Sequence, residues 1–150
     1  MSGDAIFYWR NLPHLRAAEA IYFVTWRRHP VQHDLSEKER DEVVTALRWF
    51  HGARYRLHGY VVMNDHVHVM VEPLDKWNLR EILHSWKSFT ANRLQRFYGR
   101  RGAVWQDEYF DRLIRDEAEY CKKRDYIRGN PYTRWPDIGD YPWVWAIGME

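Results

Sequence analysis

The stretch Gly59-Tyr60-Val61-Val62-Met63-Asn64-Asp65-His66-Val67-His68-Val69-Met70-Val71-Glu72-Pro73 holds two apolar, β-branched runs around a polar pair. Such runs read as strands, and Asn64-Asp65 between them is a turn signal. The segment therefore predicts an antiparallel hairpin, with strands at about Arg56 to Met63 and His66 to Glu72. Successive side chains on a strand point to opposite faces. His66, His68 and Met70 thus share one face, and Val67, Val69 and Val71 share the other. The valines predict the core side, which leaves the two imidazoles side by side on the opposite side. Imidazoles spaced this way can reach one divalent ion. Two ligands hold an ion poorly, however, without a third or without substrate oxygens. Taken alone, the pattern fits two solvent-facing histidines better than a metal site.

Outward from the hairpin, Glu19 to Arg28 (EAIYFVTWRR) is β-branched and aromatic and predicts a strand. Ser36 with Glu39 has capping-box spacing. It opens a helix expected to run to about Arg54, with Val43, Leu47 and Phe50 in its apolar stripe. Asn78 is placed to cap a second helix from Leu79 to Tyr98, with Ile82, Leu83, Trp86, Phe89 and Leu94 on or near its buried side. A basic loop, Gly99 to Gly102, leads to a fourth strand at Val104 to Ile114. Asp116 starts a last helix expected to stop at Pro131. Residues 1–18 read as irregular and 132–150 as an extended tail packed on a core of about 19–131. The order is β-α-β-β-α-β with an extra C-terminal helix. This is an α+β, ferredoxin-like arrangement whose antiparallel sheet is covered by helices on one face. The 150 residues suit a single domain.

Composition narrows the class without naming it. At 45% hydrophobic and 29% charged, the chain is expected to be globular rather than disordered. A net charge of +2 does not specify a nucleic-acid partner, because clustering matters more than the sum. The aromatic content, 17%, fits either an aromatic core or platforms for stacking bases. The single cysteine, Cys121, excludes an internal disulfide framework and a multi-cysteine zinc site, and it fits a reducing cytoplasm. No stretch approaches the ~20 apolar residues that span a bilayer, so no membrane role is expected.

The last helix carries EYCKKRDYIRGNP, Glu119 to Pro131. Tyr126 and Asn130 are four apart and share a helical face, with Lys122 and Lys123 one turn earlier, on or beside it. That places a phenol, an amide oxygen and two ammonium groups together. Asn130 offers an ion a hard oxygen, and the lysines offer a phosphate positive charge. Without the histidines, a solvated surface helix is the better explanation. Tyr120 is the rival tyrosine, but Arg124 four residues on cannot ligate a cation. Asn130 precedes Pro131, which predicts that it sits at the helix end.

Taken together, these pieces resemble the single-tyrosine HUH (His-hydrophobic-His) transposases of the insertion-sequence-200-like family, and most of all the REP-associated tyrosine transposase (RAYT) branch. The matching segments are AIYFVTWR, GYVVMNDHVHVMVEP, WKSFTANRL, VWQDEYFDRLIRDEAEY and DYIRGNP, in the family's order. The resemblance implies that His66, His68 and Asn130 hold a divalent metal, Mg or Mn. It implies that Tyr126 attacks a phosphodiester of single-stranded DNA near a hairpin, giving a 5′-phosphotyrosine link and a free 3′-hydroxyl that support strand transfer. An ordinary phenol titrates near ~10, so only about 0.1% is phenolate at neutral pH; a lysine charge nearby favours that form. No base is assigned.

The resemblance also implies a hairpin DNA partner of the repetitive palindromic type, a nucleoid-associated cytoplasmic location, and action as a monomer or homodimer. Candidate DNA contacts are Lys87, Lys122, Lys123, Arg96, Arg100 and Arg101; the run RFYGRR sets arginines around an aromatic pair. Trp77, Trp86 and Trp105 fit core or base platforms equally. Three segments depart from the family pattern: Met63-Asn64-Asp65, Arg128-Gly129, and Tyr132-Thr133-Arg134-Trp135. The last two adjoin the tyrosine. Two other readings stay open here: a hairpin-binding module on the same fold without catalysis, and a small metal-binding scaffold with no DNA role.

Overall fold

The computed structural model describes residues 20–149. The irregular N-terminal segment expected over residues 1–18 lies outside them. The elements run β1 (Tyr22–Arg28), α1 (Glu37–Trp49), β2 (Tyr55–Val62), β3 (His66–Pro73), α2 (Leu79–Tyr98), β4 (Trp105–Leu113), α3 (Glu117–Arg134) and β5 (Val144–Ala146). They form one open antiparallel sheet in the order β4-β1-β3-β2-β5. Its first four strands have the ferredoxin-like arrangement that the element order predicts. The fifth was expected only as an extended tail.

Local chemistry sets the helix ends. Ser36 Oγ accepts from the Glu39 N–H while the Glu39 carboxylate accepts from the Ser36 N–H, a complete capping box. Asn78 and Glu81 do the same for α2, which ends where Gly99 turns left-handed at φ 71°. α1 ends at Trp49, short of the expected Arg54. There the chain turns through Gly52, at φ 88°, whose N–H reaches Tyr55 O and starts β2. Phe50 accordingly caps α1 from a half-buried position, and Phe89 of α2 is 52% exposed rather than buried.

Helices α1 and α2 cover one face of the sheet. Val24, Trp26, Val67, Val69 and Val71 point into this layer and meet Val43, Leu47, Ile82, Leu83 and Leu94. Trp26 stacks on Trp86 and meets Trp105 edge-on. The Trp86 indole N–H donates to Tyr55 Oη and that of Trp105 to Thr90 Oγ1. Trp86 and Trp105 are therefore core residues, and Trp77 packs half-buried against the same core.

The opposite face takes α3. Ile127 and Tyr120 pack on Ile21, Phe23, Met63 and Met70. α3 does not stop at Pro131 but runs through it to Arg134. A proline here removes the bond its own N–H would make and crowds the carbonyl one turn back, yet the helix continues, with the ring buried against the fold. The Trp135 N–H then closes the last turn on Pro131 O, at 2.8 Å. Asn130 is therefore fully helical, and its position relative to Tyr126 is fixed by the helix. The tail crosses to β2, where Gly59 admits β5: a Cβ at Gly59 would stand 3.1 Å from Ala146 Cβ. Among the described residues, no helix is long and apolar enough to cross a membrane.

Candidate active site

Strand alternation puts the two histidines where the valine pattern predicts, on the α3 face. The rings of His66 and His68 stand 4.6 Å apart between centroids. Each has its Nδ1 engaged: His66 with the Asp65 carboxylate and His68 with Thr25 Oγ1, both at 2.7 Å. With the proton on Nδ1, each Nε2 keeps a lone pair. Such a partner on the other ring nitrogen is what orients a ligating imidazole. Burial, joined by the charges of His66, Arg27 and Lys123, pushes His68 down to about 3. Burial also holds His66 below its ordinary value, against the raising pull of Asp65. Both rings are thus kept neutral, the form that binds metal.

Helix α3 brings Tyr126 over this pair. Its ring lies 5.3 Å from the His68 ring and 6.1 Å from Phe23, centroid to centroid, and the side chain is 49% exposed. Two turns on, Arg134 approaches Asp65 at 3.8 Å. Tyr126, Asn130 and Arg134 follow at four-residue steps on one helical face. Asn130 is thereby held between the turn that faces His68 and the turn that faces Asp65.

The donor set fits a divalent ion. Among the described residues, His68 Nε2 and Asn130 Oδ1 are both buried with no hydrogen-bond partner, and buried polar atoms are seldom left so. Two imidazole nitrogens and one amide oxygen suit Mn, with Mg the harder alternative, and leave positions for water or phosphate oxygens. Among the described residues no group of three or more His, Cys, Asp or Glu is placed to hold an ion. The amide is therefore the third protein donor on offer.

An open cleft of about 660 Å³ lies beside Tyr126. Lys123 lines it, with Nζ 4.7 Å from the Phe23 ring centroid. Lys122 is exposed but does not line it. Tyr120, the rival tyrosine, is fully buried with its hydroxyl 2.6 Å from His58 Nδ1, out of reach of any DNA. Sequence reasoning missed the β1 and β4 contributions to the cleft: Phe23, Thr25 and Arg27, and Glu108 and Phe110. Their signal is the strand phase, since Thr25 pairs with both His68 and Phe110. That phase becomes readable only once the register is known.

The basic residues named from the sequence divide. Arg96 and Arg101 are exposed. Lys87 is largely spent on β4, where its Nζ donates to Gln106 O and Asp107 O. Arg100 corrects the sequence reading: it is buried, bonding Glu39 at 2.5 and 2.8 Å, and it also donates to Gln32 Oε1 and to the carbonyls of His33 and Asp34. It knits α1 to the loop after α2 and offers nothing to a phosphate.

A histidine–hydrophobic–histidine strand lying under a tyrosine helix on an open ferredoxin-like sheet is the architecture of the single-tyrosine HUH class. The family described as "Transposase IS200 like" matches residues 18–130, and the chain belongs to it. No curated protein matches the chain. Among solved structures, a REP-associated tyrosine transposase bound to a REP hairpin is similar at 15% identity, with TM-score 0.67 over 83% of this chain and 75% of that one. A Deinococcus radiodurans R1 protein, provisionally a transposase, is similar at 15% identity, with TM-score 0.52 over 76% of this chain and 92% of that one. At these identities the likeness is one of fold.

Proposed function

We propose that this chain cleaves and rejoins single-stranded DNA beside a hairpin through a covalent bond to Tyr126, as a REP-associated type of transposase. The observation that carries this reading is the half-exposed phenol of Tyr126 over a histidine whose Nε2 is buried and unpartnered.

The residues divide the work. His66, His68 and Asn130 would hold a divalent ion, which supplies charge neutralisation at the scissile phosphate. Phe23 and His68 flank the Tyr126 ring and fix its approach. Lys123, at the cleft wall, brings positive charge to the phosphate and to the phenolate. The Tyr126 oxygen attacks phosphorus and loses its proton, and the P–O3′ bond breaks. The departing oxygen takes up a proton as a 3′-hydroxyl. The phosphate stays esterified to Tyr126 and to the 5′ carbon of the downstream strand, conserving the energy for rejoining. Lys122, Arg96 and Arg101 are left to hold backbone phosphates away from the chemistry.

A labelled single-stranded hairpin oligonucleotide with Mn is expected to give an SDS-stable protein–DNA adduct. Tyr126→Phe abolishes it and Tyr120→Phe does not. An adduct that survives Tyr126→Phe rejects the assignment. Hairpin binding that persists in EDTA, with no adduct under any condition, would instead support a non-catalytic module.

A further inference from the structure

The outer edge of the sheet carries a feature that the reaction above does not use. Among the described residues, strand β4 pairs only with β1, and no strand lies along its other edge. From Asp107 to Leu113 every residue is exposed. Two adjacent aromatics sit in that run, Tyr109 at 37% and Phe110 at 60% exposure. Neighbours on a strand point to opposite faces. Phe110, paired with Thr25, lines the cleft beside Tyr126. Tyr109, paired with Trp26, faces the other side. There it lines a groove of about 440 Å³ between α2 and β4, together with Arg80, His84 and Lys87. Gln106 and Tyr109 border both hollows, so cleft and groove meet across the β4 edge.

We infer that a single strand of DNA crosses the β4 edge, stacking one base on Phe110 in the Tyr126 cleft and another on Tyr109 in the groove behind it. Exposed rings of this kind do not stabilise the core, and every base offers a face to stack on. A duplex presents its bases inward and cannot use them, so the edge selects an unpaired strand. Acidic Asp107 and Glu108 precede the rings and Asp111 follows them. Stacking therefore dominates at the edge, and backbone charge is met on either side, by Lys123 in the cleft and Arg80 in the groove. Lys87 holds β4 against α2 through two backbone carbonyls, and its Nζ stands 5.8 Å from the Tyr109 ring centroid. That staple gives the edge a rigid backing.

The inference rests on the proposed activity, because the strand it describes is the one presented to Tyr126. It is tested by binding alone, in the full chain carrying Tyr126→Phe, so that failure of catalysis and failure of the path are separate results. The probe is fluorescein-labelled oligothymidylate of increasing length, followed by anisotropy. Phe110→Ala and Tyr109→Ala are each expected to weaken binding about tenfold, the worth of one base–aromatic stack. Phe110→Tyr and Tyr109→Phe should retain it, and Trp49→Ala, an exposed ring on α1, should leave it unchanged. Affinity should rise with length, and the rise should end at a shorter length in Tyr109→Ala. Affinity in both alanine variants unchanged from the Tyr126→Phe parent overturns the path. So does a dimer that dissociates on either alanine substitution while DNA binding stays intact, which would make the edge a contact between copies.

Discussion

The two faces of the sheet differ in how completely they satisfy their own groups. On the α1/α2 face, Val67, Val69 and Val71 close against aliphatic and aromatic side chains, and Trp86 and Trp105 place their indole N–H on a hydroxyl, while the Trp26 indole N–H is left without a partner among the described residues. On the α3 face, His68 Nε2, Arg124 Nε and Asn130 Oδ1 are buried without a partner among the described residues. One strand, β3, serves both faces by alternation. The first face stabilises the fold. The second withholds hydrogen bonds that a ligand can complete, and orphaned groups of this kind concentrate where function is.

The contrast breaks most sharply if substitutions on the two faces exchange their effects. His68→Ala should eliminate Mn binding, read by calorimetric titration, and with it the covalent adduct, while altering stability less than any tryptophan truncation on the other face. Trp86→Ala should cost about 3–5 kcal/mol by urea unfolding, yet the variant should still form adduct at low temperature. If Trp86→Ala loses the adduct while remaining folded, the faces are coupled and the separation fails.

Smaller effects sharpen the comparison. Arg100→Ala strands the Glu39 carboxylate among buried groups and should cost about 3 kcal/mol. The wild-type pH profile carries the same ion pair. Burial pushes the Glu39 carboxyl up, but the bonds from Arg100 and Ser36 outweigh it and hold the group below its usual value of 4.5. Its stabilisation is present above that value and is lost as pH falls through the lower folded one. Arg100→Ala should therefore flatten the acid limb of a stability–pH curve measured by thermal melting. Gly59→Ala should cost about 1–2 kcal/mol by forcing β5 from β2. Hydrogen exchange should show the loss confined to the tail and β2, with Mn affinity unchanged.

Much of the fold was legible because its signals are local. The capping box at Ser36, the cap at Asn78, the end of α2 at Tyr98 and the valine alternation each act within a few residues, and each appears as expected. The misreadings fall where distant contacts decide. Pro131 is a stop signal locally, but a buried ring inside α3. Arg100 belongs to a basic run by spacing, but its guanidinium is enclosed by Glu39 and the loop before α1. Phe89 lies near the helical period, but Trp86, Thr90 and Leu94 take the buried side of α2 and Phe89 lines an open groove beside α1.

By itself the sequence determined that His66 and His68 share a face, that Tyr126 and Asn130 share another, and that β-α-β-β-α-β is the order of elements. Periodicity suffices for those statements, because the spacing of strand and helix is set by the backbone. That the two faces oppose each other was decided only by the tertiary structure, since it depends on α3 crossing the sheet and anchoring through Ile127 and Tyr120. The choice between Tyr126 and Tyr120, and the aromatic edge of β4 beside the chosen one, were decided there too. Burial and strand pairing join residues far apart in the chain, and no local period carries that information.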